Sequence, residues 1–264
     1  MQIFVINLDQ KPGRWQRMAG LLAGLPFHRI AAVDGKAIDG PEQSSRPFPG
    51  ILSRYHQACI LSHRAALQAL LAGADRYGCV LEDDVFISPD FPKFIRDETW
   101  IPPGCDLVKI ETTTRPVWFT GRHIACRNRR AIRLHSLHLG AAGYIVSRRG
   151  AEILLEMTVG PDRAIDRILF GKAGRERLHP VYQLMPALCI QGNHRGDGMT
   201  FPDMESSIDH TAPLPVAPKP APLRKPLPAK VKRELLRPFQ QLQAATKTAG
   251  LRLKSLRREG VPFV

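Results

Sequence analysis

No apolar run in this chain approaches the ~20 residues that a helix needs to cross a bilayer. That absence argues against a membrane-spanning architecture. Cysteine is scarce: five residues, at 59, 79, 105, 126 and 189, form no C-x-x-C or other metal-ligand pair. An odd number without a framework speaks against a disulfide-stapled secreted domain, and a reduced cytosolic compartment is the simplest expectation. The amino end lacks a basic segment and reaches an acid by Asp9, so it does not read as an export signal. No internal repeat of about 20–50 residues is visible, which excludes solenoid and propeller arrays.

Charge of one sign is what the chain has in excess. The formal net charge is +14, yet residues 211–264 carry 12 Lys and Arg against 2 acids, leaving +4 for the first 210 residues. The basic surplus therefore belongs mainly to the tail. Nine of the 23 prolines also fall there, between Pro213 and Pro262. This divides the 264 residues into a domain at 1–210, a proline-rich linker at 211–228 and a basic amphipathic segment at 229–264. A hydrophobic content of 44% is enough for one buried core.

Ile3–Leu8 is apolar without alternation, as expected of a strand buried on both faces. A helix over 14–25, a strand over 27–33 and a loop over 38–50 follow. Residues 58–74 form the clearest helix, with an apolar face at Leu61, Ala65, Leu67, Leu70, Leu71 and Ala74. Further strands are predicted at 79–81, 106–110, 132–135 and 143–147, and helices at 149–157 and 164–170. Alternating strands and helices, then a mixed second half, predict an α/β fold with an added antiparallel portion.

The main chemical signal is Glu82-Asp83-Asp84 at the end of an apolar strand. In α/β sheets ligands bind beyond the carboxyl ends of the strands. While the chain stays extended, Glu82 and Asp84 project to one side and Asp83 to the other. Two carboxylates on one side make a sparse oxygen site for Mn²⁺ or Mg²⁺, completed by water and substrate phosphate. The competing reading is a solvated turn or a helix cap.

Ordered blocks around this triplet resemble glycosyltransferase family 25, over roughly residues 2–210. They include Val5-Ile6-Asn7-Leu8 with Arg14 and Arg17, Ala32-Val33-Asp34-Gly35, Ala58-Cys59-Ile60-Leu61-Ser62-His63 and Val80-Leu81-Glu82-Asp83-Asp84-Val85. Val108-Lys109-Ile110-Glu111-Thr112, the 140–148 stretch around Tyr144, Ala164-Ile165-Asp166 and the 183–191 stretch complete the set. The resemblance implies a GT-A-like nucleotide-diphospho-sugar transferase fold with a mixed sheet. It also implies inversion at the anomeric carbon and a UDP-sugar donor, galactose being the commonest. Bacterial members extend lipooligosaccharide or lipopolysaccharide core chains in the cytoplasm, and the acidic triplet takes the part of their metal and donor motif. Two positions depart from the family pattern: Gly140-Ala141 stands where Gly-Thr is usual, and Ala164-Ile165-Asp166 where Pro-Val-Asp is usual. Neither change removes an acid.

Candidate roles follow. Glu82 and Asp84 are metal ligands, with Asp83 assisting the donor. Inverting transfer needs a base for the acceptor hydroxyl; Asp166 is the first candidate and Glu111 the second. The bland role for Asp166 is a first-turn helix acid favoured by the dipole. Arg14 and Arg17, with Asn7, are placed on the donor diphosphate, the alternative for the arginines being exposed helical charge. Asp34 and Gly35 meet the nucleoside or form a turn. His63 is a donor contact or a packed histidine. Tyr144 is an acceptor platform or a core aromatic.

In the tail, Leu235, Phe239, Leu242, Thr246, Ala249, Leu253 and Leu256 fall on one helical stripe flanked by Lys and Arg. Such a segment suits an anionic membrane surface, near a lipid-linked oligosaccharide acceptor on the inner face of the cytoplasmic membrane. The competing class is a nucleic-acid binder. It requires basic residues interleaved with aromatics on a folded surface. Here the charge sits in an aromatic-poor tail, so no nucleic acid is expected. A catalytically inactive sugar-nucleotide-binding relative is the third reading.

Overall fold

A computed structural model describes residues 1–39, 52–194 and 256–264. The chain divides into two compact units, 1–208 with 258–264, and 209–257. The predicted loop over 38–50, the proline-rich linker and most of the basic segment lie outside the described residues.

The elements, in order, are β1 (Gln2–Asn7), α1 (Pro12–Leu21), β2 (Phe27–Ala31), α2 (Arg54–Ala72), β3 (Tyr77–Glu82), β4 (Val85–Ile87), α3 (Phe91–Arg96), β5 (Leu107–Lys109) and β6 (Glu111–Thr112). Then come β7 (Val117–Cys126), β8 (Arg129–Leu134), β9 (Gly143–Ser147), α4 (Arg148–Met157), α5 (Ile165–Phe170), α6 (Lys172–Arg177), β10 (Val181–Met185), β11 (Cys189–Gln191) and β12 (Leu256–Glu259). Among the described residues, nine strands form one mixed sheet in the order β12-β7-β8-β10-β5-β9-β3-β1-β2. A second, three-stranded sheet runs β4-β11-β6. The fold is mixed α/β, parallel at β2-β1-β3 and largely antiparallel from β9 onward.

The absence of alternation in β1 has the expected cause. Ile3 and Val5 pack with Met18 of α1 and Leu22 just after it on one face, while Phe4 and Ile6 pack with Leu67 and Leu70 of α2 on the other. β3 divides the same way, Cys79 and Leu81 toward α1, Val80 toward α2. Each fully buried aliphatic side chain contributes about 1.5–3 kcal/mol, so the strands have little freedom to shift register.

Two sequence expectations are corrected. The buried face of α2 is Ala58, Ile60, Ser62, His63, Ala66, Leu67 and Leu70, while Leu61 is 45% exposed. Leu67 and Leu70 are buried as expected, and polar Ser62 and His63, on the same buried side, mask the rest of that face in the sequence. The end of the chain also differs. Leu256, placed on the tail's helical stripe, begins β12 at the sheet edge beside β7. Val261 is 1% exposed, and its carbonyl accepts from Thr112 Oγ1 at 2.7 Å. The Pro262 carbonyl accepts from Ala187 N–H at 2.7 Å. A free edge and an apolar slot won over weak helical periodicity.

Candidate active site

Strand parity sorts the triplet. Glu82 shares the face of Val80 and meets His63 of α2, whose Nε2 lies 3.3 Å from Glu82 Oε1. Asp83 takes the opposite face, toward α1, where Arg14 NH1 donates to its Oδ1 at 3.0 Å. Asn7, beside it at the end of β1, donates from Nδ2 to Asp83 Oδ2 at 2.6 Å. The second sheet brings in the rest. Gln191 pairs in register with Val85, so its side chain arrives beside Asp84. Its Nε2 donates to Glu82 Oε2 at 3.1 Å and to both Asp84 oxygens at 3.2 Å. Glu82 and Asp84 thus converge on one amide, while Asp83 points away.

Among the described residues, no arginine or lysine is ion-paired to Glu82 or Asp84, whereas Asp83 has Arg14. Burial is the larger cause, and neighbouring carboxylates the second, that push Glu82 up to about 7 and Asp84 up to about 8. Such a pair favours either a shared proton or a bound cation. The donor atoms are hard carboxylate oxygens, which fit Mg²⁺ or Mn²⁺.

The loop from Gly140 to Ala142 closes the site from below. Ala142 N–H donates to Glu111 Oε2 at 2.9 Å, and the Ala142 carbonyl accepts from Glu82 N–H at 3.0 Å. Lys109, fully buried, donates to Glu111 Oε2 at 2.8 Å and to the Gly140 carbonyl, with its ammonium 4.4 Å from the centre of the Phe170 ring. Gly140 has φ +86°, and a Cβ there would collide with the Glu111 carboxylate, so only glycine fits. Gly140 N–H in turn donates to Asp166 Oδ2 at 3.2 Å. Asp166 Oδ1 is enclosed and has no hydrogen-bond partner. Asp166 is half-buried in the first turn of α5.

The geometry gives each of the other predicted residues its partners. Arg14 is 5% exposed and holds Asp83. Asn7 is engaged through both ends of its amide, donating to Asp83 and to the Lys11 carbonyl and accepting from Arg29 Nε at 2.8 Å. Arg17 donates to the carbonyls of Asp83 and Val85 at 2.9 and 2.8 Å, clamping the acidic turn. These three residues and Asp83 build the turn and leave it to present Glu82 and Asp84. Tyr144 is fully buried, its hydroxyl 3.0 Å from His63 Nδ1, so it is a core aromatic and not a platform. Burial lowers His63 to about 4, so the ring is neutral and hydrogen-bonds through both nitrogens. Glu111, the second candidate base, is fully buried and paired with Lys109. Asp34 accepts from Lys36 N–H and Gln10 Nε2, as a cap in an exposed turn. Gly35 packs so closely on Tyr55 that a Cβ would clash with the ring.

Gln191 and Lys109 lie within the family-like blocks, but the sequence assigns neither a role. Gln191 ends a three-residue strand 107 positions from Asp84, and nothing local announces its partners. Lys109 does carry a local signal: a lone lysine between Val108 and Ile110 in an apolar strand, two residues before an acid.

A family model described as glycosyltransferase family 25 (LPS biosynthesis protein) matches residues 1–169. The lacto-N-neotetraose biosynthesis glycosyltransferase LgtB of Neisseria gonorrhoeae is 32% identical over 227 residues, spanning 79% of each chain. LgtE of Neisseria meningitidis serogroup B, with the same description, is 33% identical over 212 residues, or 74% of this chain and 75% of its own. The lipooligosaccharide biosynthesis protein lex-1 of Haemophilus influenzae is 30% identical over 152 residues, 53% of this chain and 50% of its own.

Proposed function

The chain belongs to glycosyltransferase family 25, and from that premise we propose that it is an inverting transferase of lipooligosaccharide or lipopolysaccharide assembly. The donor is a UDP-sugar, with galactose the family's commonest, and the sheet is read as GT-A-like. The observation that carries the reading is the convergence of Glu82 and Asp84 on Gln191 without an arginine or lysine partner among the described residues. A site so rich in negative charge would repel a nucleotide diphosphate unless a cation lay between them.

Glu82 and Asp84 are the residues that would hold Mn²⁺ or Mg²⁺. When bound, the cation supplies charge neutralisation for the departing diphosphate. Gln191 keeps the two carboxylates aligned. His63, supported by Tyr144, fixes the direction of Glu82. Asp166, half-buried and held through Oδ2 by Gly140 N–H, receives the proton of the acceptor hydroxyl. The clamp of Lys109 and Glu111 on the 140–142 loop sets where that carboxylate stands.

The acceptor in this reading is a lipid-linked glycan, and the basic segment docks the enzyme on an anionic inner membrane face. No helix among the described residues is long and apolar enough to span a bilayer. Because residues 258–264 belong to the first unit, the docking test deletes residues 211–250 and keeps the end of the chain. The full chain should sediment with anionic liposomes in a salt-sensitive way and the deletion should not. Equal binding by both forms would remove the segment as anchor.

The activity is tested by offering UDP-, GDP- and CMP-sugars with and without Mn²⁺, scoring nucleotide release and thermal protection. Slow hydrolysis of at least one UDP-sugar is expected. Release from none, together with binding to none by calorimetry, would defeat the reading.

A further inference from the structure

Cys59 has no part in the chemistry above, yet it stands at the edge of the same site. It lies one helical turn before His63 on α2, at the i, i+4 spacing that puts both side chains on one face. The parity of β3 then brings Glu82 across from them. One ligand atom from each of Cys59, His63 and Glu82 can be chosen so that all three lie within 4.8 Å of one another.

We infer that Cys59, His63 and Glu82 form a binding site for a borderline-soft divalent cation of the zinc class, sharing Glu82 with the carboxylate pair. The ligand set is one sulfur, one nitrogen and one oxygen, a combination that suits zinc and its cobalt substitute better than Mg²⁺. Three protein ligands leave a fourth position for water. Bond lengths of about 2.0–2.3 Å require the three side chains to draw together by about an ångström, within the reach of rotamer adjustment. Cys59 is half-buried and the Glu82 side chain is 24% exposed, which leaves a route of entry, while His63 sits behind them.

Burial first, then Glu82, Asp166 and Asp84, push the Cys59 thiol well above its ordinary value. The thiol is therefore protonated and inert near neutral pH, and a cation binds by releasing that proton to solvent. His63 contributes Nε2 as lone-pair donor. Its Nδ1 then carries the proton toward the Tyr144 hydroxyl, 3.0 Å away, which accepts or donates with either tautomer. A buried hydrogen-bond partner on the far nitrogen is what orients metal-binding histidines.

Binding itself stands on this geometry alone. Its consequence, loss of sugar transfer, rests on the reading of Glu82 as a donor-site carboxylate, because zinc would draw that oxygen away from Asp84. Full-length protein is titrated with Co²⁺ and followed by absorption. A sulfur-to-cobalt charge-transfer band and the intense visible bands of four-coordinate cobalt are expected, bleached by one equivalent of Zn²⁺. Cys59→Ser should abolish the charge-transfer band, and Tyr144→Phe should weaken zinc by about 10–100-fold. Absence of the band at saturating Co²⁺, or its survival in Cys59→Ser, would overturn the site. In the transfer assay Zn²⁺ should inhibit the parent enzyme, and Cys59→Ser should stay active and become resistant. Cobalt binding through Cys59 with no zinc inhibition would uphold the site and defeat instead the role given to Glu82.

Discussion

The side-chain amide of Gln191 donates to both oxygens of Asp84 at 3.2 Å, joining residues 107 positions apart. The antiparallel register of β4 and β11 produces this contact, and the same amide reaches Glu82. A neutral donor can align two carboxylates but cannot cancel their charge. The first expectation follows from that. Asp84→Ala should abolish transfer while leaving the melting temperature unchanged or slightly higher, since a buried like-charge contact disappears. Measured Tm and turnover check it together. Full activity of the parent enzyme in excess EDTA would remove the cation from the account.

Asp166 and Glu111 separate by what each change does. Asp166→Asn keeps the shape and the Gly140 bond but loses basicity, so transfer should fall about 10²–10⁴-fold with donor binding retained. Lys109→Met leaves the Glu111 carboxylate buried without its cation and should cost about 3–5 kcal/mol of stability. Adding Glu111→Gln to Lys109→Met should restore much of that stability. Normal transfer by Asp166→Asn would move the base elsewhere.

The end of the chain is structural. Ending the protein at residue 255 removes β12, the Val261 side chain and the carbonyls that pair with Thr112 and Ala187. Lower stability in urea is expected for this truncation. Val261→Ala should cost about 1.5 kcal/mol, two buried carbons at about 0.8 kcal/mol each. An unchanged denaturation midpoint in both variants would contradict the docking of this segment.

His138 supplies a pH dependence. It is 1% exposed, its Nδ1 2.7 Å from Gln183 Oε1, while Nε2 accepts from Thr113 N–H at 3.5 Å. Both nitrogens are satisfied only in the neutral ring. Burial first, and Lys109 second, lower it to about 3. Between that value and the ordinary one near 6.5, the unfolded chain binds a proton that the folded chain does not. The stability from this group is therefore full above about pH 6.5 and declines as the pH falls toward 3. His138→Gln should reduce the slope of unfolding free energy against pH in this window, by up to about 1.4 kcal/mol per unit. An identical slope in the two proteins would show that His138 is not held neutral.

Local pattern determined a good deal here. The continuous apolar run of β1, the helical period of α2, the acids closing β3 and the shift to proline and positive charge after His210 are all nearest-neighbour properties. They carried the α/β class, the family resemblance and the choice of a candidate site at strand ends. Strand parity even foretold that Asp83 would part from Glu82. What the sequence could not decide is which charge meets which. Arg14 and Arg17 looked like anion binders because arginine so often is. Packing of α1 on the sheet brought one onto Asp83 and the other onto two carbonyls of the acidic turn. Lys109 met Glu111, Gln191 met Asp84, and Leu256 left its helical stripe for a sheet edge, each through pairings between distant segments. Burial set the protonation of His63 and His138, and burial exists only once the sheets and helices have closed around them.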